Sequence, residues 1–299
     1  MHFPSTGSAG SLSPAATREG RRASGARALD TLDLRIPLAA AMGLLALGIV
    51  LLETGGNRAL ILWMHAGPDS EWRHVVWSSL TVLGFGWATL IVCMALDRAS
   101  GRLVAMLPAL LILSAVVTHG GKYVVASARP AGTDIASQLH VIGMKLAGSY
   151  SMPSGHSLAA GALAMFLCLW MPQAWVRRWG ALVVVVAVLA SVSRVAVGAH
   201  WPADAACGFA LGMLCVLLLA WLVRKRPVRK LYLAFAARIH LPAGQWILAG
   251  IEVIAGVSFL ASNIGYPQGR GMLYAVAALA WMSAAARVRR VLRRGRVHG

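Results

Sequence analysis

Long, continuously apolar runs set the first constraint on this chain. From Ile36 onward, stretches at 36–52, 76–96, 103–120, 156–172, 181–199, 204–223, 245–262 and 271–286 alternate with short polar breaks. Most are long enough to cross ~30 Å of hydrocarbon as an α-helix. They are apolar throughout instead of alternating residue by residue, which favours helices over the strands of a barrel. Composition agrees, with 58% hydrophobic and only 13% charged residues and a mean hydropathy of +0.68. Soluble globular proteins carry roughly 25% charged residues. The expected fold class is therefore all-α: a polytopic membrane helical bundle of eight spans.

A formal net charge of +18 would suggest a nucleic-acid partner in a soluble chain. Here the loops explain it. With the N-terminus inside, about three-quarters of the 28 Lys and Arg fall in alternate, inner segments. Only Arg58, Arg73, Lys122, Arg129, Lys145, Arg194 and Arg270 fall on the outer side. That bias places both termini in the cytoplasm and removes the need for nucleic acid. The chain then divides into a disordered basic tail (1–35), a six-helix membrane domain (36–223), a basic interfacial linker (224–244), a two-helix membrane appendage (245–286) and a basic cytoplasmic tail (287–299). Within the linker, RKRPVRK at 224–230 reads as topogenic charge within reach of anionic lipid head groups. Cys93, Cys168, Cys207 and Cys215 lie in apolar stretches without a CxxC pair and read as small buried hydrophobes.

Three outer segments carry reactive side chains. Lys122 and Arg129 flank the exit of the third span, Ser154, Gly155 and His156 the entry of the fourth, and Arg194, His200 and Asp204 the turn from the fifth to the sixth. Alternating helix direction brings all three to one face. Three cations at membrane depth need partners. Between Lys122 and the sixth span the only carboxylates are Asp134 and Asp204, so a surplus of positive charge remains for an anionic ligand. The Arg fork and the Lys point charge suit a tetrahedral oxyanion, and Pro-Ser-Gly opening a helix would add free amides and a positive helix end. An imidazole serves as nucleophile or proton donor. Asp204 stands four residues after His200 and can orient it through Nδ1, leaving Nε2 to attack; His156, without an acid at comparable spacing, fits the proton donor.

These segments, KYVVASARP (122–130), PSGH (153–156) and SRVAVGAHWPAD (193–204), resemble the three signature blocks of the type 2 phosphatidic acid phosphatase (PAP2) superfamily, KxxxxxxRP, PSGH and SRxxxxxHxxxD. The resemblance spans about residues 76–223. It implies that His200 is the nucleophile forming a phosphohistidine, that Asp204 orients it and that His156 protonates the leaving oxygen. It further implies that Lys122, Arg129, Arg194, Ser154 and Gly155 hold the phosphoryl oxygens, with no metal and no cofactor. The expected protein is an integral membrane lipid phosphate or diphosphate phosphatase. Its first-choice substrate is undecaprenyl diphosphate, and its site faces the periplasm from a bacterial inner membrane. Its partners would be membrane lipids and the lipid substrate itself. Competing readings are a phosphotransferase using the same phosphohistidine, and a non-catalytic lipid-phosphate binding or transport protein. The family pattern does not account for the last two helices.

Other residues carry weaker signals. Glu252 lies mid-span and reads equally as a functional group or a structural partner of an Arg. Tyr150, Ser151, Met152 and Ser157 neighbour the motifs and read as packing or ligand contacts alike. The 131–152 segment, longer than a simple turn, reads as a cap over the pocket or a passive connection.

Overall fold

The computed structural model describes residues 33–97, 100–146 and 148–295; the tail expected over 1–35 lies, up to residue 32, outside them. Among the described residues the secondary structure is helical throughout. Six helices are long and apolar enough to cross a membrane: α1 (Arg35–Glu53), α5 (Arg102–Val125), α7 (Gln173–Ala196), α8 (Pro202–Val223), α10 (Pro242–Ala261) and α11 (Arg270–Gly295). Shorter helices fill the intervals: α2 (Gly56–His65), α3 (Glu71–Leu83), α4 (Gly86–Leu96), α6 (Gly155–Trp170) and α9 (Arg226–His240). The protein is a polytopic helical membrane protein.

The eight expected spans need two corrections. The run at 76–96 is a pair, α3 and α4, bent by 64°. The break falls at Gly84-Phe85, where a small residue permits the kink. The run at 156–172 is a 16-residue apolar helix, about 24 Å long at 1.5 Å per residue, short of full hydrocarbon thickness. Polar residues that scan as an outer loop also fold: Arg73 donates to the carbonyls of Met64, Gly67 and Pro68, closing the C-terminus of α2.

At the centre, α6 crosses α8 at very short range because both faces carry glycine. A Cβ on Gly161 or Gly212 would run into the backbone carbonyl of Phe209 or Leu158, and one on Gly208 would lie 2.5 Å from the Ser154 oxygen. Small residues are what let membrane helices approach this closely. Gly208→Ala is expected to cost about 1–3 kcal/mol through overpacking. Gly250→Ala, where a Cβ meets nothing within 4 Å, should cost nothing; thermal unfolding in detergent compares the two.

The last two helices pack against the rest of the bundle. Ala255 and Phe259 of α10 and Leu273, Val276 and Ala280 of α11 share one buried cluster with Val82, Ala88 and Ile91 of α3 and α4. Helix α11 runs on to Gly295, so residues 287–295, expected as part of a basic tail, are helical. Arg287 is 1% exposed and donates to Glu252 Oε1 (3.0 Å), Gln245 Oε1 (3.0 Å) and the Met94 carbonyl. Glu252 takes a further bond from Ser283. A buried charge requires a partner; Glu252 is the partner of Arg287, and the pair ties the C-terminal hairpin to α4. The linker region is mostly helix: α9 buries Tyr232, Ala236 and Ile239, and the Tyr232 hydroxyl donates to the Arg102 carbonyl at the start of α5.

Candidate phosphoryl-transfer site

The turn after α7 positions His200. Gly198, at φ +74°, ends the helix in the left-handed conformation that glycine adopts most readily. The chain doubles back, so the amides of Ala199 and His200 both donate to the Arg194 carbonyl (3.1 and 3.2 Å). His200 therefore sits just outside a helix, in the turn that precedes α8. Helix α8 begins at Pro202, and Asp204 Oδ2 accepts the Trp201 amide at 2.9 Å. The two side chains still meet, His200 Nδ1 to Asp204 Oδ2 at 3.3 Å. Asn57 of α2 accepts the Ala203 amide at 2.9 Å and steadies the same helix start.

Ser151 completes a triangle that sequence reasoning left undecided. Its Oγ donates to Asp204 Oδ2 and lies 3.4 Å from His200 Nδ1. All three side chains are buried. On the opposite side of the ring, Arg129 Nη1 lies 3.3 Å from His200 Nε2 and donates to the Ala199 carbonyl at 2.9 Å. A guanidinium only donates, so Nε2 carries the lone pair and Nδ1 the proton. Burial, then Arg194, Arg129 and Lys122, push the His200 imidazole well below its usual range. The ring turns Nε2 toward Arg129.

Those cations converge. Lys122 and Arg129 lie within Coulombic range of each other, of Arg194 and of Asp204. Lys122 Nζ donates to the Tyr150 carbonyl at 2.7 Å. Tyr150 itself is held at φ +93°, a rare conformation for a non-glycine residue and of the kind that clusters at functional sites. Asp134, the other acid of the region, is paired at the surface with Arg58 at 2.7 Å. Three cations thus face one carboxylate, which is already bonded to Ser151 and the Trp201 amide.

His156 enters from the first turn of α6. The bend between α3 and α4 makes room for it: a Cβ on Gly84 would lie 3.1 Å from His156 Cβ, and Phe85 packs edge-on with ring centroids 4.3 Å apart. His156 lies within Coulombic range of Arg194, His200, Arg129 and Lys122. Its Nε2 is buried without a hydrogen-bond partner, as is Arg194 Nε. Buried polar atoms are almost always paired, so these two mark places where a ligand atom would complete the structure.

Ser154 sits differently from the expectation. It is fully buried, its amide donates to the Asp204 carbonyl at 3.1 Å, and its Oγ caps α6 by accepting the Ser157 amide. It ties α6 to α8 instead of offering its own amide to a ligand. The next amides, Gly155 and His156, begin the helix and have no intrahelical acceptor. A Cβ on Gly155 would lie 3.3 Å from Thr118 Cγ2.

Other supporting residues were not legible as such. Thr81 Oγ1 lies 2.7 Å from Ser193 Oγ and accepts from Arg194 Nη1 at 3.4 Å. His65, 1% exposed, accepts the His140 amide at Nδ1 and thus donates through Nε2 to the Val195 carbonyl at 3.0 Å, tying the 131–152 segment to the end of α7. No motif spacing announces either. The loop between α10 and α11 brings Tyr266 to 2.9 Å from Arg194 Nη1.

The segment carrying these cations and histidines is the one that is similar to a known family. Residues 103–227 match the model of the PAP2 superfamily. The matched segment runs from α5 to the start of α9 and contains every motif residue named above. An undecaprenyl-diphosphatase of Sulfolobus acidocaldarius is 33% identical over 120 residues. The match takes in 40% of this chain and 55% of that relative, so the chain spans about half the length of the curated relative it matches. A crystal structure titled as the first transmembrane PAP2 type phosphatidylglycerolphosphate phosphatase, from Bacillus subtilis, superposes with a TM-score of 0.47 at 23% identity, covering 64% of this chain and 98% of that one.

Proposed function

We propose that this protein removes a phosphate from a lipid phosphate or diphosphate, with undecaprenyl diphosphate the first candidate, through a phosphohistidine on His200. One observation carries the reading. The His200 imidazole, held at Nδ1 by Asp204 and Ser151, faces the cations with Nε2, while His156 Nε2 stands buried and unpartnered beside them. The name of the Sulfolobus relative supports the choice of lipid diphosphate.

In the first step His200 Nε2 attacks phosphorus. The N–P bond forms as the bond to the leaving oxygen breaks, and that oxygen takes its proton from His156. In the second, water attacks the phosphohistidine, its proton passes to His156, the N–P bond breaks and the electron pair returns to Nε2. Lys122, Arg129 and Arg194 neutralise the phosphoryl oxygens throughout, with the amides at the head of α6. Asp204 and Ser151 stabilise the ring as it gains charge. Lipid tails remain in the bilayer while the phosphate meets the site at the helix ends. The clustering of Lys and Arg in the alternate segments supports an extracytoplasmic, periplasm-facing site in an inner membrane.

Phosphate release from a panel of lipid phosphates and diphosphates, offered singly to the purified chain, tests the reading. At least one lipid should release inorganic phosphate without any added acceptor. Release that requires a second lipid hydroxyl would make the protein a transferase, and no release from any lipid would contradict both. Ser151→Ala should lower kcat about tenfold or more, the worth of one hydrogen bond to a charged group; unchanged turnover would remove Ser151 from the mechanism.

A further inference from the structure

The matched segment ends at residue 227, yet one wall of the site comes from beyond it. The loop between α10 and α11 is pressed into the catalytic half of the molecule by contacts that leave no room for a side chain. A Cβ on Gly143, at φ +77°, would collide with the Gly265 carbonyl and lie 2.6 Å from the Tyr266 ring. The Met144 amide donates to the Gly265 carbonyl at 2.9 Å. A Cβ on Gly269 would lie 2.9 Å from the Ser78 oxygen of α3. Tyr266, 4% exposed, packs with Ile142, Val197 and Ala199, the last two flanking the turn that carries His200.

Its hydroxyl accepts from Arg194 Nη1 at 2.9 Å, and its ring centroid lies 5.5 Å from Arg194 Cζ. The other side-chain partner of Nη1, Thr81 Oγ1, is more distant at 3.4 Å. Tyr266 also lies within Coulombic range of Arg129. A guanidinium at a phosphoryl site is useful only in a fixed orientation, because its fork must meet two oxygens at once. We infer that Tyr266 is a positioning residue of the phosphoryl site: the C-terminal hairpin holds Arg194 in its binding orientation through the Tyr266 hydroxyl, so the last two helices complete the site. The inference rests on the phosphatase reading and adds to it a residue outside the matched segment.

The test uses the full chain, with kcat/KM for a hydrolysed lipid phosphate and the inhibition constant of orthovanadate, a mimic of the transferring phosphoryl group. Tyr266→Phe keeps the ring and deletes only the hydroxyl. It should lower kcat/KM and weaken vanadate inhibition by about tenfold each, the effect of one hydrogen bond to a charged group, with unfolding temperature unchanged. Tyr274→Phe, an exposed tyrosine on α11, should change neither. In an Arg194→Lys background, which lacks Nη1, Tyr266→Phe should add little further loss, whereas independent roles would multiply. Turnover and vanadate inhibition that are indifferent to Tyr266→Phe, or losses that multiply in the double variant, overturn this inference alone. Absence of turnover in the unaltered chain overturns the phosphatase reading, and the inference with it.

Discussion

His200→Ala is expected to lower lipid-phosphate turnover by about 10⁴- to 10⁶-fold, the range seen when the nucleophile of a cooperating set is removed. Ser151 Oγ is committed to Asp204 on the far side of the ring, and Arg129 offers only donors. Binding should survive, because Lys122, Arg129 and Arg194 remain, so vanadate should still raise the unfolding temperature of the variant. Phosphate release and thermal unfolding with and without vanadate separate the two effects. Turnover within tenfold of the unaltered protein would remove His200 from the chemistry.

His156→Ala should cost less, about 10²- to 10⁴-fold, as expected for loss of a general acid, and the cost should depend on the leaving group. A lipid alkoxide needs a proton as it departs; the anion of an acidic phenol does not. The ratio of unaltered to variant kcat/KM should therefore be much smaller for an aryl phosphate such as p-nitrophenyl phosphate than for a lipid monophosphate. Equal ratios would mean that His156 acts by shaping the pocket. Its surroundings favour the first outcome, since Nε2 makes no structural hydrogen bond that the substitution would break.

The spans and the site were legible to different degrees, for physical reasons. Continuous apolar runs reveal α1, α5, α7, α8 and α10 because lipid selects hydrophobicity along the whole length of a helix. The same criterion cannot see the bend at Gly84-Phe85, which lies against His156, a tertiary contact with no local pattern beyond one glycine. Neither can it assign Arg287. Counted as topogenic charge, this residue proves to be the buried partner of Glu252, and the pairing spans helices that hydropathy treats independently. At the site, Lys122, Arg129, His156, Arg194, His200 and Asp204 stand in motifs whose spacing follows from the helix ends that hold them. Ser151, Thr81, His65 and Tyr266 act through contacts between distant segments, and single side chains of common type leave no periodic trace. Ser154 adds a role that its motif does not announce, in capping α6 and pairing it with α8.

The central claim is that the phosphoryl group passes through His200. Stopping the reaction with alkaline denaturant during turnover of a lipid labelled with ³²P at its terminal phosphate tests it most directly. The account predicts label on the unaltered protein that survives base and is released by acid, as a phosphoramidate should be, and that maps to the peptide containing His200. Label should be absent from His200→Ala. Turnover with no protein-bound label under conditions that trap other phosphohistidines, or label that persists in His200→Ala, would contradict it.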